Sequence, residues 1–95
     1  MRNKRYQYQL EGTIVFVEAE AKGERQYLVN MQIPGRMARV RIGYLTGAKY
    51  TWVAECFGGS RPTMRAGSAK AACQILAKWA CQQPSIAHYF SRQGS

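Results

Sequence analysis

Arg39 and Arg41 stand two residues apart in the run Met37 to Leu45, where they alternate with Val40, Ile42 and Tyr44. That alternation sends both guanidiniums out of one face of a strand. In the preceding run, Gln26, Asn30 and Gln32 alternate in the same way against Tyr27, Val29, Met31 and Ile33. Guanidinium and amide groups are the side chains that hydrogen-bond phosphates and base edges. Arg36, just past Pro34-Gly35, and Lys49, just past Thr46-Gly47, extend this basic set along the chain. A second cluster is the stretch Gly58 to Ser68, which holds Arg61 and Arg65 and leads into a helix containing Lys70. Backbone N–H groups at a helix start and the positive end of its dipole attract anions, and these three cations would reinforce that pull. The N-terminal Arg2, Lys4 and Arg5, followed by Tyr6 and Tyr8, read as a basic arm running into half-buried tyrosines.

Catalytic and metal chemistry have little to draw on. The chain contains no aspartate, so any acid–base set must come from five glutamates and one histidine, His88. Glu18, Glu20 and Glu24 flank a turn and read as a solvated rim. His88, beside Tyr89 and Phe90, has no orienting partner in the sequence. Cys56, Cys73 and Cys81 form no CxxC pair, and with a single histidine they supply no zinc ligand set. Cys73 and Cys81, eight apart in an alanine-rich helix, read as small hydrophobes. Nucleotide-loop and metalloprotease motifs are lacking. The expectation is a protein with no catalytic residues, no cofactor and no metal.

The charge balance points the same way. Fourteen Lys and Arg face five acids in 95 residues, for a net charge of +9 and a pI near 10.0. Four of the five glutamates precede residue 25, whereas from Met31 onward nine basic residues accompany only Glu55. Segregated charge of this sign creates a directed field and favours a polyanionic partner. The odd cysteine count fits a reducing compartment, and the absence of a long apolar run or cleavable leader argues against membrane insertion and export. A cytoplasmic protein is expected.

The elements that must position these side chains follow from periodicity and turn chemistry. Residues 1–5 read as a flexible basic arm. Tyr6 to about Glu20 reads as one long strand, bent or bulged at Glu11-Gly12, where the apolar phase switches from Tyr6, Tyr8 and Leu10 to Val15 and Val17. Ala21-Lys22-Gly23 marks a turn. Pro34-Gly35 closes a hairpin that sets Met31 opposite Ala38, Val29 opposite Val40, Tyr27 opposite Ile42 and Asn30 opposite Arg39. Thr46-Gly47 marks the third turn, and Tyr50 to Phe57 is the fourth strand, with Tyr50, Trp52, Ala54 and Cys56 on one face. Residues 58–67 read as a basic glycine-rich loop, 68–83 as a helix capped by Ser68, and 84–95 as a short turn and tail.

The fold class expected is therefore α+β in one domain over residues 1–95. It is a four-stranded antiparallel β-meander over residues 6–57 with one C-terminal α-helix packed on one face (ββββα, two-layer). An open sheet edge allows a homodimer by strand pairing. The segment Met64 to Ala72, with the strand before it, resembles the end of double-stranded-RNA-binding domains, which close with a sheet and a Lys- and Ala-rich helix whose start contacts phosphates. The likeness implies a phosphate contact near Lys70. It stops short of membership, since the chain opens with a strand where that family has a helix and its lysine cluster is reduced to Lys70. The order of sheet and helix is also similar to sheet-based DNA readers, by architecture alone.

Together these readings favour a small, non-catalytic, basic nucleic-acid-binding protein (DNA or RNA) that contacts phosphates through Arg36, Arg39, Arg41, Lys49, Arg61, Arg65 and Lys70. The alternative is a phage- or plasmid-type accessory protein that docks on an acidic or nucleoprotein surface and inhibits a host CRISPR or restriction complex.

Overall fold

The computed structural model describes residues 2–57 and 63–91. Among these lie six strands: β1 (Lys4–Leu10), β2 (Thr13–Gly23), β3 (Gln26–Ile33), β4 (Met37–Ala48), β5 (Thr51–Cys56) and β6 (Thr63–Ala66). Two helices follow, α1 (Ala69–Cys81) and α2 (Pro84–Ser91). The strands form one antiparallel sheet in the order β1-β2-β3-β4-β5-β6, curled into a half-barrel. The architecture is α+β, but the four-stranded meander expected from the sequence is overturned: the sheet has six strands.

Two local misreadings account for the difference. The long strand from Tyr6 to Glu20 is really a hairpin. Glu11 (φ 51°) and Gly12 (φ 73°) form a two-residue loop with both central residues left-handed, and Leu10 pairs Thr13 across it. Positive φ at both loop positions gives the twist that tight hairpins require. The switch of apolar phase is the signature of that turn: reversing the chain puts Tyr6, Tyr8 and Leu10 on the same face as Val15, Val17 and Ala19. The sixth strand comes from the stretch read as a loop, where Thr63–Ala66 pairs with β5, Val53 opposite Arg65. The basic arm also shortens, because Lys4 and Arg5 already belong to β1.

The central hairpin exists but its register differs. Met31 lies opposite Val40, Asn30 opposite Arg41, Val29 opposite Gly43 and Tyr27 opposite Leu45. Arg36 N–H donates to Ile33 C=O at 3.0 Å around Pro34-Gly35, and Gly35 has φ +78°. This is a turn with proline at the first central position and a left-handed glycine at the second. The pairing then shifts twice, between Val29 and Asn30 and between Met31 and Ile33. Each shift inserts an extra residue into β4, and such bulges bend a strand and strengthen its twist. The remaining turns also move: β2 runs on to Gly23, and β4 continues through Gly47 and Ala48 to turn at Lys49-Tyr50. Tyr50, expected to open the fourth strand on the face of Trp52, Ala54 and Cys56, is 84% exposed at that turn.

α1 fills the concave side. Ser68 caps it, its Oγ accepting from Ala71 N–H at 3.1 Å. Ala69, Ala72, Cys73, Leu76, Ala77, Ala80 and Cys81 are buried, whereas Lys70, Gln74 and Lys78 are exposed. The small residues allow close approach, and Leu76 packs on Gly43 of the sheet. Tyr8 Oη donates to the Lys70 carbonyl at 2.6 Å, tying β1 to the start of the helix. At the same mouth Lys4 Nζ sits 5.7 Å and 5.8 Å from the ring centroids of Tyr27 and Trp52, so β1 and β5 meet across the curl. The segment read as a turn and tail contains α2, whose Ile86 joins the core.

Candidate nucleic-acid interface

The convex face of the sheet is built in cross-strand rows, because paired residues on neighbouring strands project to the same side. One row is Gln7 (β1), Phe16 (β2), Gln32 (β3). The next is Arg5, Glu18, Asn30, Arg41. Then come Glu20, Leu28, Tyr44, Glu55, and after them Gln26, Thr46, Val53, Arg65. Arg39 sits on β4 within the bulged stretch.

Glutamates hold these cations in place. Glu18 accepts from Arg39 Nη1 at 2.9 Å with one oxygen and from Arg5 Nε at 3.1 Å with the other. Glu20 lies 3.6 Å from Lys22 Nζ and 3.7 Å from Arg41 Nη2. Asn30, buried between the charged strands, accepts from Arg41 Nε at 3.3 Å. The two carboxylates are therefore central to the face, not a solvated rim. Each serves two cations, so the cluster of Arg5, Lys22, Arg39 and Arg41 against Glu18 and Glu20 keeps an excess of positive charge. The arginines stay solvent-accessible: the Arg39 side chain is 61% exposed against 15% for Glu18.

Among the described residues, shallow grooves follow this face. One, of about 470 Å³, is lined by Arg5, Gln7, Phe16, Glu18, Gln32 and Arg39. Phe16 also lines a second, of about 480 Å³, with Ile14, Pro34 and Arg36. A third, of about 490 Å³, lies between Lys22, Leu28, Arg41 and Tyr44. Ile14, Phe16 and Tyr44 are 48%, 42% and 41% exposed, and Tyr44 meets Phe57 edge-on at 5.0 Å.

The residues expected from the sequence divide among several places. Arg39 and Arg41 come together, joined by Arg5. Arg36 stands at the β3–β4 turn, where its Nη1 donates to the Tyr89 carbonyl at 3.2 Å while its side chain borders the Phe16 groove. Arg65 is on the same convex face but two strands from Arg41, with Tyr44 and Glu55 in the row between them. Lys49 occupies the β4–β5 turn, its carbonyl accepting from Trp52 Nε1 at 2.9 Å. Lys70 belongs to the helical layer. Arg61 lies outside the described residues, as does the His88 side chain. Of the expected cluster of Arg61, Arg65 and Lys70, the two described members lie in different layers, Arg65 on the sheet and Lys70 on α1. Phe16 is the functional side chain absent from the sequence expectation; Arg5 was expected in the basic arm, and Tyr44 on the face opposite Arg39 and Arg41, whereas the bulge in β4 turns Tyr44 to the convex face beside Arg41. The signal for Phe16 is parity: with Val15 and Val17 facing inward, it faces outward beside Glu18.

Cys73 and Cys81 are buried in the core. Burial pushes the Cys73 thiol up to about 12 and the Cys81 thiol up to about 11, with Glu11 adding to the second. Both thiols are therefore protonated at neutral pH, which removes the nucleophilic form. Among the described residues no group of three His, Cys, Asp or Glu gathers to hold a metal, and no helix is long and apolar enough to cross a membrane. No family model, curated protein or solved structure matches the chain.

Proposed function

We propose that the protein binds nucleic acid through the convex face of its sheet and acts by occupancy, without turnover. The observation that carries this reading is the excess of cations over carboxylates across β1 to β4, in a chain of net charge +9. Arg5 and Arg41 are held through Nε, by Glu18 and Asn30, which leaves terminal N–H donors of each free to face outward in a fixed plane that suits phosphate. Buried, protonated thiols favour a reducing compartment, and we assign the protein to the cytoplasm.

Binding to labelled DNA and RNA across a salt series tests the proposal. Affinity should fall steeply with salt, and Arg39→Gln and Arg41→Gln should each lower the slope of log K against log[salt] by about 1. Unchanged affinity and slope in both variants would overturn the assignment. Failure of the parent protein to bind at low salt would redirect the same arginines to an acidic protein surface.

A further inference from the structure

We infer that the ligand is single-stranded, with an unpaired base stacking on Phe16 between the amides of Gln7 and Gln32; this deepens the nucleic-acid reading above and rests on it. Phe16 projects from the outward side of β2, where a polar residue would serve solubility better, and its ring is the shared wall of two grooves. Directly across the strands on both sides stand Gln7 and Gln32, both exposed. A flat apolar ring flanked in its own row by two donor–acceptor amides offers a base both a stacking partner and edge contacts. Cations border that row: Arg5 and Arg39 on one side, Arg36 on the other. Further along the face, Tyr44 repeats the pairing of exposed aromatic and cation with Arg41 and Lys22. Stacking rings inside a positive track are the chemistry of single-strand recognition.

Geometry separates this from duplex binding. The cations run from β1 to β4, three strand spacings of about 4.8 Å, so the basic strip is about 14 Å wide before side chains are added. The DNA major groove is about 12 Å wide and admits a two-stranded ribbon, not a four-stranded convex sheet. In a duplex, moreover, base faces are covered by their neighbours and cannot reach Phe16. Both DNA and RNA present the same unpaired base and phosphate, so the shared ligand is a single strand of either sugar.

The test uses the full chain with labelled mixed-sequence oligonucleotides of about 12 nucleotides, a length within the range of small single-strand sites. Three probes are compared: single-stranded DNA, single-stranded RNA and the DNA duplex. Single strands should bind more tightly than the duplex, and the preferred sugar follows from the first two arms. Phe16→Leu keeps an apolar side chain at an exposed site. It should weaken single-strand binding roughly tenfold or more without altering the salt slope, because stacking, not charge, is lost. Tyr44→Leu should weaken it in the same direction. Salt-dependent binding that favours the duplex, or that ignores Phe16→Leu and Tyr44→Leu, overturns this inference and leaves the basic-face reading standing. Absence of binding to all three probes overturns both.

Discussion

Glu18 in β2 accepts a 2.9 Å hydrogen bond from Arg39 in β4, reaching past the whole of β3. Its other oxygen takes Arg5 from β1, so one carboxylate gathers cations from both flanking directions. A carboxylate and a phosphate make the same demand on arginine, and at Arg39 Glu18 occupies a terminal donor, Nη1, that a phosphate would use.

Glu18→Gln should therefore strengthen nucleic-acid binding and steepen its salt dependence by up to about 1 in the log–log slope. Its effect on folding should be small, a loss under about 1 kcal/mol, since both arginines are largely exposed and exposed ion pairs contribute little. Fluorescence anisotropy across a salt series, with urea unfolding of the same variant, reads both quantities. Weaker binding at unchanged stability would show that Glu18 orients the arginines more than it competes for them.

Gly43→Ala should be among the most damaging single-methyl additions in the chain. A Cβ at this position would run into the Glu55 carbonyl oxygen of β5 and lie 3.1 Å from both Leu76 methyls of α1. Sheet and helix would both have to shift, at a cost of about 1–3 kcal/mol. Urea unfolding should register this as a lower midpoint. Gly12→Ala makes a useful contrast, because nothing lies within 4 Å of its Cβ and any loss there is due to φ alone.

These glycines also show how far the sequence could be read. The inward faces of β2, β3 and β5, the capping by Ser68 and the exposed Lys70-Gln74-Lys78 face of α1 follow from periodicity and agree with the structure. The Glu11-Gly12 hairpin was legible only as a change of apolar phase, since glutamate is an unusual residue at a left-handed loop position. The bulges of β4 left no such trace. Pairing β3 with β4 by apolar alternation seats Val29 on Val40, whereas the inserted residues move Val40 to Met31. Alternation reports which face a residue takes, but register across a bulge depends on backbone geometry. The site suffered in the same manner. Arg39 and Arg41 were legible as an outward pair, whereas Arg5 and Phe16 acquire meaning only once β1 and β2 are known to be separate strands.

Alkaline pH should unfold the protein through its buried thiols and phenols. Burial raises the Cys73 thiol from 9.0 to about 12 and the Cys81 thiol from 9.0 to about 11. It also lifts the Tyr8 hydroxyl above its usual 10.0, with Cys73 adding to the effect. In the unfolded chain these groups ionise near their ordinary values, so above pH 9 the unfolded state releases protons that the folded state still holds. The contribution of these groups to stability is thus complete below about pH 9 and is lost progressively as pH rises toward 12. Urea midpoints should fall steadily over that range. Cys73→Ala and Cys81→Ala should each flatten the decline, even where removal of the sulfur lowers stability at neutral pH. An equally steep decline in both variants would assign the alkaline transition to the tyrosines, with Tyr8, whose hydroxyl binds the Lys70 carbonyl at the start of α1, as the first to examine.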